Sequence, residues 1–457
     1  MLIFACVNTV FAQKTYFQQQ VNYKINVTLD DEKHIISGNI EMEYTNNSPD
    51  ALNEVWMHLW GNAYKNQRTG YAKQQLNQGK TKFFTAKTED LGFYSDLDFQ
   101  VNNKKATWNF DPKNPDIALV KLETPLKSGE KITIFTPFSL KIPASFSRLG
   151  HVATSYQMTQ WFPKPAVYDT KGWHAMPYLD QGEFYSEFGN FDVSITLPDN
   201  YVVGATGLCQ QETEYAFLRR RVNETEAQMK KGFDKDISFP PSSKTTKTLR
   251  FLAENVHDFA WFADKRFWVL KNEAILASGK KVDCWTMFTN EDAELWKKSS
   301  DYVARSVKFY SDNVGEYPYP HATAVQSALS AGGGMEYPMI TVIAKTSNAK
   351  ELDVVITHEV GHNWFYGILA SNERDHGWMD EGMNTYYESR YTNTYWKNDK
   401  KKRKARAIPN IDKITQLVFD WYAAANKDQA PNTTSNDLLP LNYGTCMYQK
   451  KIGRAHV

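Results

Sequence analysis

The sequence predicts a multidomain protein in which an all-β domain precedes an α+β domain. Three observations carry this. The 457 residues exceed what one hydrophobic core usually supports, so roughly two to four domains are expected. From Tyr16 to about Pro198, apolar and polar residues alternate in short runs, the pattern of half-buried strands. After about Asp264 the period lengthens to that of helices. Strands first and helices second argue for two domains side by side.

Taken in order, Tyr23–Leu29 alternates strictly, Ile36–Tyr44 continues the pattern, and Phe191–Leu197 repeats it before a Pro-Asp-Asn turn. Clusters of Asn, Asp, Gly and Pro separate these runs, as in an antiparallel sheet or sandwich. Asn223–Lys247 is rich in Lys, Glu, Ser and Thr and reads as a loop or solvent-facing hairpin. Four helices are expected: Asp292–Asn313, with Leu295, Tyr302, Val303, Val307 and Tyr310 on one face; Glu351–Leu369; Met379 to about Tyr395; and Ile411–Ala425. The expected boundaries are 13–264 for the β-rich domain and 265–450 for the second.

Both ends fall outside these domains. Leu2–Ala12 is short and mostly apolar and turns polar at Gln13, so residues 1–12 read as the remnant of a secretory signal. That implies a secreted or periplasmic protein. The segment is too short to span a bilayer. Residues 451–457 read as a read-through tail, because Ile452–Val457 is what one frame of a common sequencing adapter encodes. His456 is therefore set aside as a ligand.

A formal net charge of +1 gives no field that would draw nucleic acid or an anionic membrane. The basic run Lys400–Lys404 with Arg406 reads as a solvated loop or helix end. The cysteines Cys6, Cys209, Cys284 and Cys446 contain no CxxC pair, which argues against a cysteine metal site. A single bridge between Cys209 and Cys284 is left open. Nothing in the sequence fixes an oligomeric state.

The chemistry concentrates in the second helix. Thr357-His358-Glu359-Val360-Gly361-His362 places two imidazoles four residues apart, on one helical face. Two such histidines can hold one Zn2+, and the carboxylate between them can serve as general base on a water. A catalytic zinc takes three protein ligands and keeps one position open. The third ligand should be a carboxylate or another histidine, and Glu381, at the start of the next helix, supplies it. Two satisfied histidines on a helix surface would explain His358 and His362 alone; Glu381 at its helix start argues against that.

With these residues in hand, the chain resembles the aminopeptidase N family of gluzincins. The run HEVGHNWF…WMDEGMNTYYE is close to the family pattern. Gly333-Gly334-Met335-Glu336-Tyr337 is similar to the family's Gly-x-Met-Glu-Asn exopeptidase motif, and Tyr448-Gln449-Lys450 to its Tyr-x-Lys segment. The resemblance implies an N-terminal β saddle or sandwich, a thermolysin-like zincin catalytic domain, and a helical C-terminal domain that is missing here. It implies a metallo-aminopeptidase that uses one Zn2+ on His358, His362 and Glu381 to hydrolyse peptides with a free N-terminus. Glu359 would be the general base and Tyr448 the oxyanion donor, with Tyr443 the fallback. Glu336 and Gln160 would hold the substrate amine, and Gly333, Gly334 and Met335 would lie along the substrate. The family's Asn is Tyr337 here, followed by Pro338, which reshapes the first substrate pocket. Two other readings stay open: a thermolysin-type zinc endopeptidase on the same helices, and a catalytically inactive zinc-containing binding protein.

Overall fold

A computed structural model of the chain describes residues 16–328, 333–396, 417 and 420–449. The signal-like segment, Cys6, the basic run at Lys400, Lys450 and the tail lie outside the described residues, as does most of the fourth expected helix, of which residues 420–424 are helical.

The N-terminal part is built on a nine-stranded sheet. Its centre consists of β1 (Gln20–Asp30), β2 (Ile35–Thr45), β3 (Lys131–Lys141), β5 (Gly189–Pro198) and β6 (Thr246–Val256), with β4 (Ser155–Met158) in a neighbouring sheet. β1 runs parallel to β5 and antiparallel to β2, which in turn pairs with β3. Along β1 every second side chain, Val21 through Leu29, is buried. The alternation read from the sequence is thus a one-sided sheet.

β4 and β7 (Trp261–Asp264) belong to a four-stranded sheet packed behind the first. Aromatic rings fill the space between the sheets: Tyr23 stacks on Phe191 at 4.4 Å, and Trp161 meets Trp261 edge to face at 6.2 Å. This accounts for much of the high aromatic content, since large rings fill a thick sandwich core at low entropic cost.

Asn223–Lys247 departs from its expected loop. Residues to Lys231 belong to a 20-residue helix, α1 (Glu212–Lys231). No glycine or proline interrupts it before Gly232, which caps it at φ +90°. Arg221 and Glu224 pair three residues apart at 2.8 Å. The helix buries few residues, so its sequence has no strong apolar stripe. Its anchor is Thr225, fully buried, whose Oγ1 accepts a hydrogen bond from Val269 N at 3.0 Å.

A five-stranded sheet follows: β8 (Trp268–Ile275), β9 (Lys281–Phe288), β10 (His321–Gln326), β11 (Gly334–Tyr337) and β12 (Ile340–Ile343), in spatial order β8-β9-β10-β12-β11. β11 is the edge strand, antiparallel to β12. The helices α2 (Ser299–Asn313) and α3 (Ala349–His362) pack against it, and α4 (Glu381–Tyr395) packs on α3.

The expected helix from Asp292 breaks at Lys297–Lys298, after the short turn Ala293–Trp296. The expected helix to Leu369 stops being α-helical at His362, and Asn363–Ile368 widens into a π turn. Asn363 anchors that turn: its Oδ1 accepts from Met339 N at 2.9 Å and its Nδ2 donates to Val360 O at 3.0 Å. Cys209 and Cys284 are free thiols on strands of different sheets, so the bridge left open by the sequence is absent. Among the described residues no helix is long and apolar enough to cross a membrane.

Candidate metal centre

α3 starts where Asn348 accepts hydrogen bonds from Lys350 N and Glu351 N, a side-chain cap that fixes the register of the helix. Roughly three to four turns later that register brings His358, Glu359 and His362 to the face that meets β11. α4 starts at Glu381 and crosses this face. Gly361 permits the crossing: a Cβ there would lie 2.1 Å from Asn384 Oδ1 and 2.2 Å from the Tyr310 hydroxyl. In the space so left, Tyr310 donates to Asn384 Oδ1 at 2.7 Å, and Asn384 Nδ2 donates to His358 O at 2.7 Å. The two helices are thereby locked at the level of the first histidine.

His358 Nε2 and His362 Nε2 are 3.1 Å apart, and Glu381 Oε2 lies 3.2 and 3.5 Å from them. Ligands of a tetrahedral zinc with bonds of about 2.05 Å are separated by about 3.3 Å. The triangle therefore has the edge lengths zinc requires. Glu381 Oε2 is buried and receives no hydrogen bond, as expected of an atom whose partner is a cation. Each histidine is oriented through its other nitrogen: Glu388 Oε2 lies 3.1 Å from His358 Nδ1, and Asp380 Oδ1 lies 2.5 Å from His362 Nδ1. Carboxylates in this position fix the tautomer that leaves Nε2 free for a metal. These residues fit zinc.

Burial, first of all, pushes the Glu359 carboxyl up to about 7. The same cause, with Asp380, Glu359 and Glu381 adding like charge, raises Glu336 well above the carboxylate range. The site holds more buried acid than its protein cations balance, which favours binding of positive charge.

β11 brings the second motif to the same place. Oxygens of Glu336 and Glu359 and a nitrogen of His362 lie within 4.8 Å of one another. A Cβ on Gly334 would lie 2.3 Å from Glu359 Oε1, so the glycine is what admits the Glu359 carboxylate against the strand. Gly333 sits at φ +78°. Met335 is buried, and its sulfur lies 3.0 Å from Arg148 Nε. Tyr448 stacks on His358 with ring centroids 6.1 Å apart. Burial, followed by the charge of Glu381, raises its phenol. Tyr443 instead hydrogen-bonds Glu183.

Gln160 is placed differently. It is buried, accepts from the Tyr337 hydroxyl at 3.1 Å and leaves Nε2 without a partner. It is not among the residues lining the cavity over the metal ligands, which measures about 540 Å³. The cavity does include residues that sequence reasoning missed. Arg148, Asp180, Gln181 and Glu183 come from the β part. Arg148 is held by Glu183 at 3.2 Å and by the carbonyls of Leu179 and Asp180. No motif marks these four. Glu388 had a signal, standing two helical turns after Glu381.

The chain is similar to known peptidases. Residues 299–451 match the model of the Peptidase family M1 domain. Over 69 residues the chain is 36% identical to Leucine aminopeptidase 2 of Chaetomium globosum, a stretch covering 15% of this chain and 11% of that protein. Over 82 residues it is 33% identical to Leucine aminopeptidase 2 of Kluyveromyces lactis, covering 18% and 10%. The matched stretch thus spans about a tenth of the length of these curated relatives. The M1 zinc metallopeptidase from Deinococcus radiodurans superposes with a TM-score of 0.57 at 15% identity, over 94% of this chain and 80% of that one. A mutant of that enzyme bound to a Tyr-Ser-Ala substrate gives 0.55 at 14% identity, over 94% and 80%. The two-part architecture is therefore that of solved M1 metallopeptidases.

Proposed function

We propose that this chain, whose residues 299–451 match the Peptidase family M1 domain, is a zinc-dependent aminopeptidase acting on peptides with a free N-terminus. The observation that carries the reading is Glu336, a buried carboxylate whose oxygen lies within 4.8 Å of Glu359 and of the metal ligand His362. A peptide's α-amino group titrates at about 8 and is mostly cationic at neutral pH. A carboxylate fixed at this distance holds that cation one residue from the scissile carbonyl and so selects the first peptide bond.

One Zn2+ would be held by His358, His362 and Glu381. When bound it supplies a Lewis acid that polarises the carbonyl and lowers the pKa of water. Glu359 accepts the proton of the attacking water and delivers it to the leaving amine. Its carboxyl, raised to about 7 by burial, is suited to both transfers at neutral pH. The Tyr448 hydroxyl donates to the oxygen on which negative charge develops. Gly334 and Met335 on the edge strand, with Gly333 just before it, would lie along the substrate backbone. Gln160 stands behind Tyr337 and supports the amine pocket from that side. Leu2–Ala12 supports export, which cell fractionation would test: a purely cytoplasmic protein is inconsistent with it.

The test of direction is a cleavage map. One peptide, with a free and with an acetylated N-terminus, is digested and read by mass spectrometry. Stepwise loss of N-terminal residues from the free form alone is expected. Internal cleavage of the acetylated form at a comparable rate would assign the site to an endopeptidase.

A further inference from the structure

The segment that carries Tyr448 is a small unit of its own. It runs through the turn Ser435–Asp437, the helical turn Pro440–Asn442 and the π-helical stretch Tyr443–Gln449. Its buried side chains Leu438, Cys446 and Met447 form an apolar cluster apart from the main core, with Tyr443 and Tyr448 packed on it. On the catalytic side Met447 rests on Gly377, where a Cβ would collide with the Met447 methyl. So small a cluster gives the segment little local stability, because stability follows the apolar surface buried. Its place over the metal ligands depends on polar contacts at its edges.

One such contact crosses from the β part. Gln181 Nε2 donates to Ser435 O at 3.2 Å and to Leu438 O at 2.8 Å. Its Oε1 accepts from Gln78 Nε2 at 3.3 Å. A carboxamide offers two N–H donors and one acceptor oxygen, and here each of them is engaged. The main chain of Gln181 is gripped in turn by Gln74, on the short helix Gly70–Asn77. Gln74 Oε1 accepts from Gln181 N at 2.9 Å, and Gln74 Nε2 donates to Gln181 O at 2.6 Å. Arg148 adds bonds to the carbonyls of Leu179 and Asp180. The carboxamide is thus a fixed post, and the carbonyls it holds lie just before the bend that leads to Tyr448. Gln181, Pro440, Tyr443 and Tyr448 line the same cavity as the metal ligands.

We propose that Gln181 is a positioning residue for catalysis: it holds the Ser435–Gln449 segment against the β part and so sets the Tyr448 hydroxyl where negative charge develops. The inference rests on the role given to Tyr448 in the proposed function. An oxyanion donor acts at about 2.7–3.1 Å, and a misplacement of about 1 Å can cost roughly 100-fold in rate. Loss of the carboxamide leaves the carbonyls of Ser435 and Leu438 to water and lets the segment open while the sheets stay folded. Tyr443 is a lesser hold. It donates one bond, to Glu183, and its ring stays packed on the cluster when the hydroxyl is removed.

The test uses the zinc-loaded full chain and two readouts. Hydrogen exchange, followed by mass spectrometry, needs no hydrolysis. In Gln181→Ala the amides of residues 435–448 should exchange about tenfold faster, while those of α3 and the zinc content stay unchanged. Kinetics on an aminoacyl chromogenic amide supply a double-mutant cycle. Gln181→Ala should lower kcat about tenfold with KM nearly unchanged. In the Tyr448→Phe background the same substitution should cost less than about twofold. Gln181→Glu, which has no donor for the two carbonyls, should match Gln181→Ala in both readouts. Unchanged exchange in residues 435–448 overturns the docking. An unchanged kcat in Gln181→Ala, or a loss that persists in full beside Tyr448→Phe, overturns the action through Tyr448. A zinc-loaded wild-type chain that hydrolyses nothing defeats the proposed activity itself, and the exchange result keeps that failure apart from a failure of the docking.

Discussion

Asp380 Oδ1 and His362 Nδ1 lie 2.5 Å apart, both side chains almost fully buried. The contact turns the imidazole so that Nε2 faces His358 and Glu381. Asp380→Asn keeps the shape but loses the charge that favours this tautomer. Zinc affinity is expected to fall about 10- to 100-fold, measured by competition with a chromophoric chelator. Unchanged affinity would mean that packing alone orients His362.

Gly361 gives a stability prediction. The Cβ of Gly361→Ala would meet Asn384 Oδ1 and the Tyr310 hydroxyl at 2.1 and 2.2 Å, neither of which can move without breaking the Tyr310–Asn384–His358 chain. The expected loss is about 2 kcal/mol or more, seen as a lowered Tm. Gly334→Ala acts elsewhere: its Cβ would displace the Glu359 carboxylate, so kcat should fall while Tm changes little.

Tyr448 and Tyr443 separate by their partners. Tyr448 stacks on His358, whereas Tyr443 bonds Glu183. Tyr448→Phe should lower kcat about 100-fold with little change in KM. Tyr443→Phe should leave kcat nearly intact. The reverse order of effects would reassign the oxyanion donor.

How far the sequence could be read follows from where the information lies. The period of two in Tyr23–Leu29 and the His358–His362 spacing are local patterns, and both became visible structure. α1 reads as a loop because it buries only Glu214, Leu218 and Thr225, too few for an apolar stripe to stand out. The π turn after His362 depends on Asn363 meeting Met339, which is 24 residues away along the chain. Arg148 and Glu183 reach the cavity from loops of the β part, and only tertiary structure brings them there. The burial that sets Glu336 apart from surface acids is also a property of the fold.

Buried neutral histidines predict a pH dependence. Burial pushes His257 and His321 down to about 4, with each Nε2 bonded to a backbone carbonyl, that of Tyr366 and that of Gly207. In the unfolded chain each titrates at about 6.5. Between these values the unfolded state binds more protons. The contribution is therefore complete above pH 6.5 and is lost as pH falls toward 4, by roughly 3 kcal/mol per histidine. Urea unfolding at pH 7.5 and pH 5 should show the loss, and replacing both residues by Gln should reduce the difference, part of which remains from His58 and His151, whose imidazoles burial also lowers. An identical difference in the double variant would place its origin elsewhere.

The most direct test of zinc dependence is to strip the metal with a chelator, add zinc back stoichiometrically, and follow a panel of aminoacyl chromogenic amides. Hydrolysis should vanish in the stripped chain and return at one Zn2+ per chain, and Glu359→Gln should bind that zinc without turnover. Full activity in the stripped chain, or in Glu359→Gln, would contradict the proposed chemistry.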